Sequence, residues 1–263
     1  NTQSISILPK SGDGAILLSS SFAISLVWVS YAYTGWNSVI YIAGEIKDPK
    51  DNFSRTMVIA TSFVMFMYVL LNYIFLNTAS VEDMSGQVDI GYISGIAIFG
   101  SVGAKIVGLG ISILLLSTVS SYVYIGPRIM QIMGEDHKFI SFLSVTNKNN
   151  IPINAFFLQL AISFLFITTS SFEEVLMYAG ITLIITTTLT VISLFILRYK
   201  EPYLDRPYKV WGYPFTPLIY LIVNAWILFY SFQHSQFESI IGIGIIIISI
   251  ATHFIFDRKY TSV

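Results

Sequence analysis

The sequence predicts an all-α integral membrane protein with about seven transmembrane helices, on the evidence of its composition and its long apolar segments. Hydrophobic residues make up 54% of the 263-residue chain, whereas Asp, Glu, Lys and Arg together make up only 11%. A soluble domain carries about 25% charged residues because water must solvate its surface. So little charge fits a lipid environment, in which the outside of a helix needs no polar coat.

Seven apolar segments are long enough to be membrane spans, since a helix needs roughly 20 residues to cross the hydrocarbon core. Polar or charged stretches separate these segments. We interpret the whole chain, residues 1–263, as a single transmembrane domain and as a fragment of a longer protein. The predicted spans are 16–44, 56–77, 104–130, 153–170, 174–197, 214–232 and 238–256.

The apolar stretch at 90–133 is too long for one straight span. We expect residues 90–99 to form an apolar helix at the outer surface of the membrane. Gly100 and Gly103 then form the corner that precedes the third span.

Lysine and arginine are distributed unevenly between the two predicted sides of the membrane. Twelve of the 14 basic residues lie in the loops after the first, third and fifth spans and in the C-terminal tail. Only Lys10 and Lys105 lie on the other side. Because basic residues accumulate on the cytoplasmic side, the N-terminus is predicted to lie outside and the C-terminus in the cytoplasm.

Several functional classes are disfavoured by what the spans contain. The net charge of −1 suggests no nucleic-acid partner, and the chain has no cysteine to form a thiolate metal site. No span pairs acidic residues or a His with an Asp, so we expect neither an enzyme nor a bound metal or cofactor. A seven-helix receptor or photoreceptor shares the topology, but the last span (238–256) has no lysine for a retinal Schiff base.

The first span contains the run YAYTGWN at residues 31–37. Gly has a low helix propensity, and the side chains of Thr and Asn form hydrogen bonds with nearby backbone, so the run predicts a broken helix. Broken helices in lipid are tolerated where their free peptide groups line a cavity, and secondary transporters bind substrates at such breaks. A close helix–helix contact at the glycine is an equally open interpretation.

This run, followed by AGEIKDP at 43–49, resembles the sixth transmembrane helix and the next loop of the amino acid–polyamine–organocation (APC) superfamily. The L-type amino-acid transporter branch and its bacterial relatives are the most similar. The run STVSSYVYIGPR at 117–128 resembles the eighth helix, and RPYKVWGYP at 206–214 resembles the loop after the tenth. The resemblance implies that the chain supplies helices six to twelve, the second half of a LeuT-type inverted-repeat fold whose first helix here is broken.

The resemblance also implies roles for individual residues. Tyr31 corresponds to an aromatic gate that occludes the substrate, and Asn37 contacts the substrate or stabilises the break. The unwound turn, whose backbone groups bind the substrate, corresponds to Ala32, Tyr33, Thr34 and Gly35. Polar residues of the eighth helix lie where sodium-coupled relatives hold an ion, with interhelical hydrogen bonding as the alternative; these are Ser117, Ser120 and Ser121.

The activity implied is secondary transport of neutral amino acids across the plasma membrane by alternating access. The implied partners are the amino-acid substrate, a coupling proton or sodium ion, the lipid bilayer and the N-terminal half of the same permease. In this family helix one is also broken and binds the substrate carboxylate. The resemblance gives this chain only helices six to twelve, so we expect the chain alone to be unable to complete the cycle. A non-transporting fragment or scaffold remnant is the alternative.

Overall fold

The computed structural model of the chain describes residues 9–36, 49–206, 209–252 and 254–255. Within these ranges all regular secondary structure is helical, which confirms the predicted fold class. A 3-10 helix at Lys138–Leu143 accompanies the α-helices. The α-helices are α1 (Asp13–Leu17), α2 (Ser20–Ala32), α3 (Pro49–Thr78), α4 (Val81–Met84), α5 (Ile90–Asp136), α6 (Ile153–Thr169), α7 (Phe172–Lys200), α8 (Phe215–His234) and α9 (Gln236–Thr252).

Helices α3, α5, α7 and α8 are long and apolar enough to cross a membrane. Helices α2, α6 and α9 are apolar but shorter, with 13, 17 and 17 residues. A 17-residue helix rises about 26 Å, close to the roughly 30 Å of a hydrocarbon core, whereas α2 rises only about 20 Å. By itself, α2 is therefore too short to span the bilayer.

Large apolar side chains cover the outside of the longer helices. Phe63 and Phe66 on α3 are 63% and 62% exposed, and Leu114 on α5 is 69% exposed. Water would disfavour so much apolar surface, whereas lipid chains solvate it and leave the helical backbone bonds intact. The pattern is that of a membrane protein.

The helices pack in two groups. In the first group α2 and α9 both pack against α7 and α8, and in the second α5 contacts both α3 and α6. The core of the first group consists of Val27, Ile181, Ile184 and Ile227, each at most 3% exposed. Gly180 lets α2 approach α7 closely, since a Cβ there would lie 2.8 Å from the Val27 Cγ1.

The long helix α5 bends sharply at Gly100, whose φ of 69° and ψ of −174° are not helical. Glycine adopts a positive φ at little cost, unlike residues with a Cβ. At the start of the next turn, a Cβ on Gly103 would collide with the Phe99 side chain. The structure thus confirms the predicted break at Gly100, whereas Gly103 lies within the helix that follows.

We expect the substitution Gly180→Val to destabilise the packing of α2 against α7. Overfilling a packed core costs about 1–3 kcal/mol, so thermal unfolding in detergent, followed by intrinsic fluorescence, should occur several degrees lower. Gly244→Val on α9 is the matched control, because a Cβ there meets nothing within 4 Å. Equal midpoints for the two variants would contradict the close contact.

Candidate functional site

The C-terminal end of α2 lies within the first apolar segment, 16–44. Helix α2 ends at Ala32, and residues 33–36 form turns. The Thr34 amide donates to the Tyr31 carbonyl at 3.0 Å, which is a tighter turn than an α-helix makes. The Thr34 hydroxyl donates to the same carbonyl at 2.7 Å. The threonine side chain therefore satisfies a terminal carbonyl and helps to end the helix.

Gly35 follows with a φ of 104°, in a region that residues with a Cβ rarely adopt. Within the described residues, neither its amide nor its carbonyl forms a hydrogen bond. Free peptide groups are costly in lipid unless water or a bound molecule meets them. Asn37, the next predicted site residue along the chain, lies outside the residues that the structure describes.

A cavity of about 480 Å³, here called the main cavity, opens beside this turn. Tyr31, Thr34 and Gly35 line it from the end of α2. The volume lies in the range of about 300–1,000 Å³ that is typical of small-molecule sites. The other walls come from α5, α6, α7 and α9, so the cavity lies where the two helix groups meet; the lining residues there include Tyr122, Ile125, Phe166, Tyr178, Thr182 and Ile245.

The lining of the main cavity is uncharged, since its described residues include no Asp, Glu, Lys, Arg or His. Its polar groups are hydroxyls and peptide groups. Tyr178 is 7% exposed, and in the described part of the chain its hydroxyl has no hydrogen-bond partner. Such a lining favours uncharged ligand groups, because burying an unpaired charge is strongly unfavourable.

The structure does not bring all of the predicted substrate-binding residues to one cavity. Ala32 and Tyr33 line a separate pocket of about 430 Å³, the α3 pocket, between α2 and α3. The Tyr68 hydroxyl donates to the Ala32 carbonyl at 3.0 Å. The rings of Tyr33 and Tyr68 meet edge to face, with centroids 5.1 Å apart. The turn thus presents one face to the main cavity and the other to α3.

A smaller cavity of about 110 Å³ lies between the end of α2 and helices α7 and α8. Beside it the Tyr220 hydroxyl donates to the Thr187 Oγ1 at 3.0 Å, and the Asn224 Nδ2 donates to the Thr188 Oγ1 at 3.3 Å. Asn224 is only 6% exposed. These bonds hold α7 against α8 next to the turn, and Trp36 lies against the same cavity.

The three predicted ion-site residues lie away from these cavities. Ser117, Ser120 and Ser121 are exposed on α5 and line none of the three. The Ser121 hydroxyl donates to the Ser117 carbonyl at 3.1 Å within the helix. The ion site therefore stays a prediction. Among the described residues, no cluster of three metal-ligating side chains is present.

Several cavity residues could not be singled out from the sequence. Tyr122, Phe166 and Tyr178 come from three different helices, and 15% of the chain is aromatic, so an aromatic residue in a span is no signal by itself. Asn224 did carry a readable signal, because an amide inside an apolar span is costly without a partner.

The fold and this site define a class of protein: a multi-pass α-helical membrane protein in which one helix ends within an apolar segment, beside an uncharged cavity. The chain belongs to the amino acid permease family, whose model matches residues 3–251. Together with the relatives below, this match confirms the resemblance to the APC superfamily and its L-type branch.

The chain is 28% identical over 209 residues to solute carrier family 7 member 12 from Mus musculus, a match that covers 80% of the chain and 45% of the relative. It is 25% identical to the large neutral amino acids transporter small subunit 2 from Homo sapiens, with 89% and 43% covered. It is 24% identical to the serine/threonine exchanger SteT from Bacillus subtilis, with 79% and 48% covered. The chain thus spans about half the length of the curated relatives it matches.

We predict that a cysteine at position 34 reacts with a small water-soluble thiosulfonate, because Thr34 lines the main cavity. The chain has no native cysteine, so a single substitution is labelled without background. Val27→Cys, seven residues earlier on α2 at a position that is 1% exposed, should stay unlabelled. Failure of the Thr34→Cys variant to react any faster than Val27→Cys, measured by intact-protein mass, would contradict a water-accessible cavity beside the turn.

Proposed function

We propose that this chain forms the second half of a secondary transporter that moves neutral amino acids across the plasma membrane by alternating access. The observation that carries the proposal is the non-helical turn at 33–36, which borders an uncharged cavity of about 480 Å³. A transporter needs a solute site at membrane depth, and an interrupted helix provides one from backbone groups.

The end of α2 suits the α-ammonium group of an amino acid. The C-terminal end of a helix carries partial negative charge on its terminal carbonyls. The Thr34 hydroxyl uses its proton on the Tyr31 carbonyl, so its oxygen remains free to accept a hydrogen bond from an ammonium group. Gly35, whose carbonyl has no hydrogen-bond partner among the described residues, lines the same cavity and offers a second acceptor.

The main cavity suits an uncharged substrate side chain, because its walls offer aliphatic and aromatic groups and a few hydroxyls. The names of two relatives agree with this class: one names large neutral amino acids and the other names serine and threonine. We propose Tyr31 as the gate residue, since its side chain lies against both the main cavity and the smaller cavity near α8.

The proposed partners follow from what this chain does not provide. The N-terminal half of the same permease would supply the rest of the substrate site, including groups that bind the carboxylate. A proton or a sodium ion would couple transport. The distribution of Lys and Arg separately supports an external N-terminus and a cytoplasmic C-terminus. Asn37 is the further residue that we expect to contact the substrate or stabilise the break.

The test is exchange of labelled leucine into proteoliposomes that hold unlabelled leucine, using the longest protein that the gene encodes. We expect saturable uptake that unlabelled phenylalanine or serine inhibits and that lysine and glutamate leave unchanged. The 263-residue chain by itself should show no saturable uptake. Absence of uptake by the longest protein would favour the non-transporting remnant instead.

Removing the gate ring should slow exchange. We expect Tyr31→Ala to lower the leucine exchange rate at least about 10-fold, equivalent to roughly 1.4 kcal/mol, and Tyr31→Phe to keep most of the rate because it retains the ring. Tyr203→Ala is the control, since that side chain is 99% exposed in a loop. An alanine variant at position 31 with the unmodified rate would refute the gating role.

A further inference from the structure

The Ala32 carbonyl marks the point at which α2 stops. In a continuous helix this carbonyl would accept the amide of residue 36, but residues 33–36 form turns. An unpaired carbonyl in a membrane is costly. Its partner is instead the Tyr68 hydroxyl of α3, which donates to it at 3.0 Å across 36 positions of sequence.

The Tyr68 ring adds a second contact at the same place. Its centroid lies 5.1 Å from that of Tyr33, and the planes meet at 71°. Such edge-to-face pairs are attractive beyond the area that they bury. One side chain therefore holds both the last helical residue and the first residue of the turn.

These contacts involve residues of α2 and the turn that do not line the main cavity. Ala32, Tyr33 and Tyr68 line the α3 pocket, whereas Thr34 and Gly35 line the main cavity. The Tyr68 hydroxyl thus donates its hydrogen bond to the Ala32 carbonyl from the side of the α3 pocket. Any substrate in the main cavity meets the next two residues instead.

We propose that Tyr68 is a positioning residue that anchors the C-terminal end of α2 to α3. Its hydrogen bond and its ring hold Ala32 and Tyr33 against α3, and this orientation directs Thr34 and Gly35 towards the main cavity. Tyr68 does not touch the substrate. The effect of this anchor on transport rests on the proposed function, whereas the anchoring of α2 to α3 does not.

The first experiment measures hydrogen–deuterium exchange of the 29–36 segment in nanodiscs. Loss of one hydrogen bond changes a local opening equilibrium by about 2- to 10-fold, so Tyr68→Phe should speed exchange of the Thr34 amide by that factor. Tyr68→p-aminophenylalanine keeps a donor at the same place and should restore the original rate. Unchanged exchange in Tyr68→Phe would overturn the anchor.

Tyr73→Phe is the matched control. Tyr73 also lines the α3 pocket, but in the described part of the chain its hydroxyl forms no hydrogen bond. Its loss should leave exchange of the segment unchanged. Acceleration as large as that of Tyr68→Phe would assign the effect to general loosening of α3 and overturn the specific role of Tyr68.

The second experiment measures leucine exchange kinetics in the longest protein that the gene encodes. A less organised turn weakens substrate binding, so Tyr68→Phe should raise KM about 2- to 10-fold with little change in the maximal rate, and p-aminophenylalanine should restore KM. A fall in maximal rate at constant KM would refute positioning of the turn. Should the unmodified protein show no exchange at all, the proposed function fails while deuterium exchange still decides the anchor.

Discussion

The structure depends on one constraint: within a membrane, a peptide group that leaves a helix needs another hydrogen-bond partner. Helix α2 ends after 13 residues, inside an apolar segment, and so creates several groups without a helical partner. The Thr34 hydroxyl satisfies one carbonyl and the Tyr68 hydroxyl satisfies another. The peptide groups of Gly35, which border the main cavity, are left free within the described residues.

Helix α7 is the element against which the middle of α2 packs. Its isoleucines form the core with Val27, and Gly180 lets the two backbones approach. The same helix lines the main cavity through Tyr178 and bonds to α8 through hydroxyl groups beside the smaller cavity. Because α7 contributes both to this core and to both cavities, the packing of the first helix group places α2 beside the main cavity.

The main cavity lies between the two helix groups, with α5 and α6 on one side and α7 and α9 on the other. Its apolar and aromatic walls agree with a chain that has few charged residues and places most of them at or beyond the ends of its predicted spans. The absence of charge from the described walls of the main cavity favours uncharged ligand groups there.

Composition and apolar segments determined the fold class, and the residues at 31–37 and at Gly100 indicated where helices break, because helix propensity and backbone sterics are local properties. Tertiary structure alone decided which side chains meet at those breaks. Tyr68 reaches Ala32 across 36 positions, and Tyr122 and Tyr178 converge on one cavity. Helix packing decides these contacts, because in a chain rich in tyrosine no single ring identifies its partner. Which residues of the turn contact α3 and which line the main cavity depends on the positions of α3 and α7.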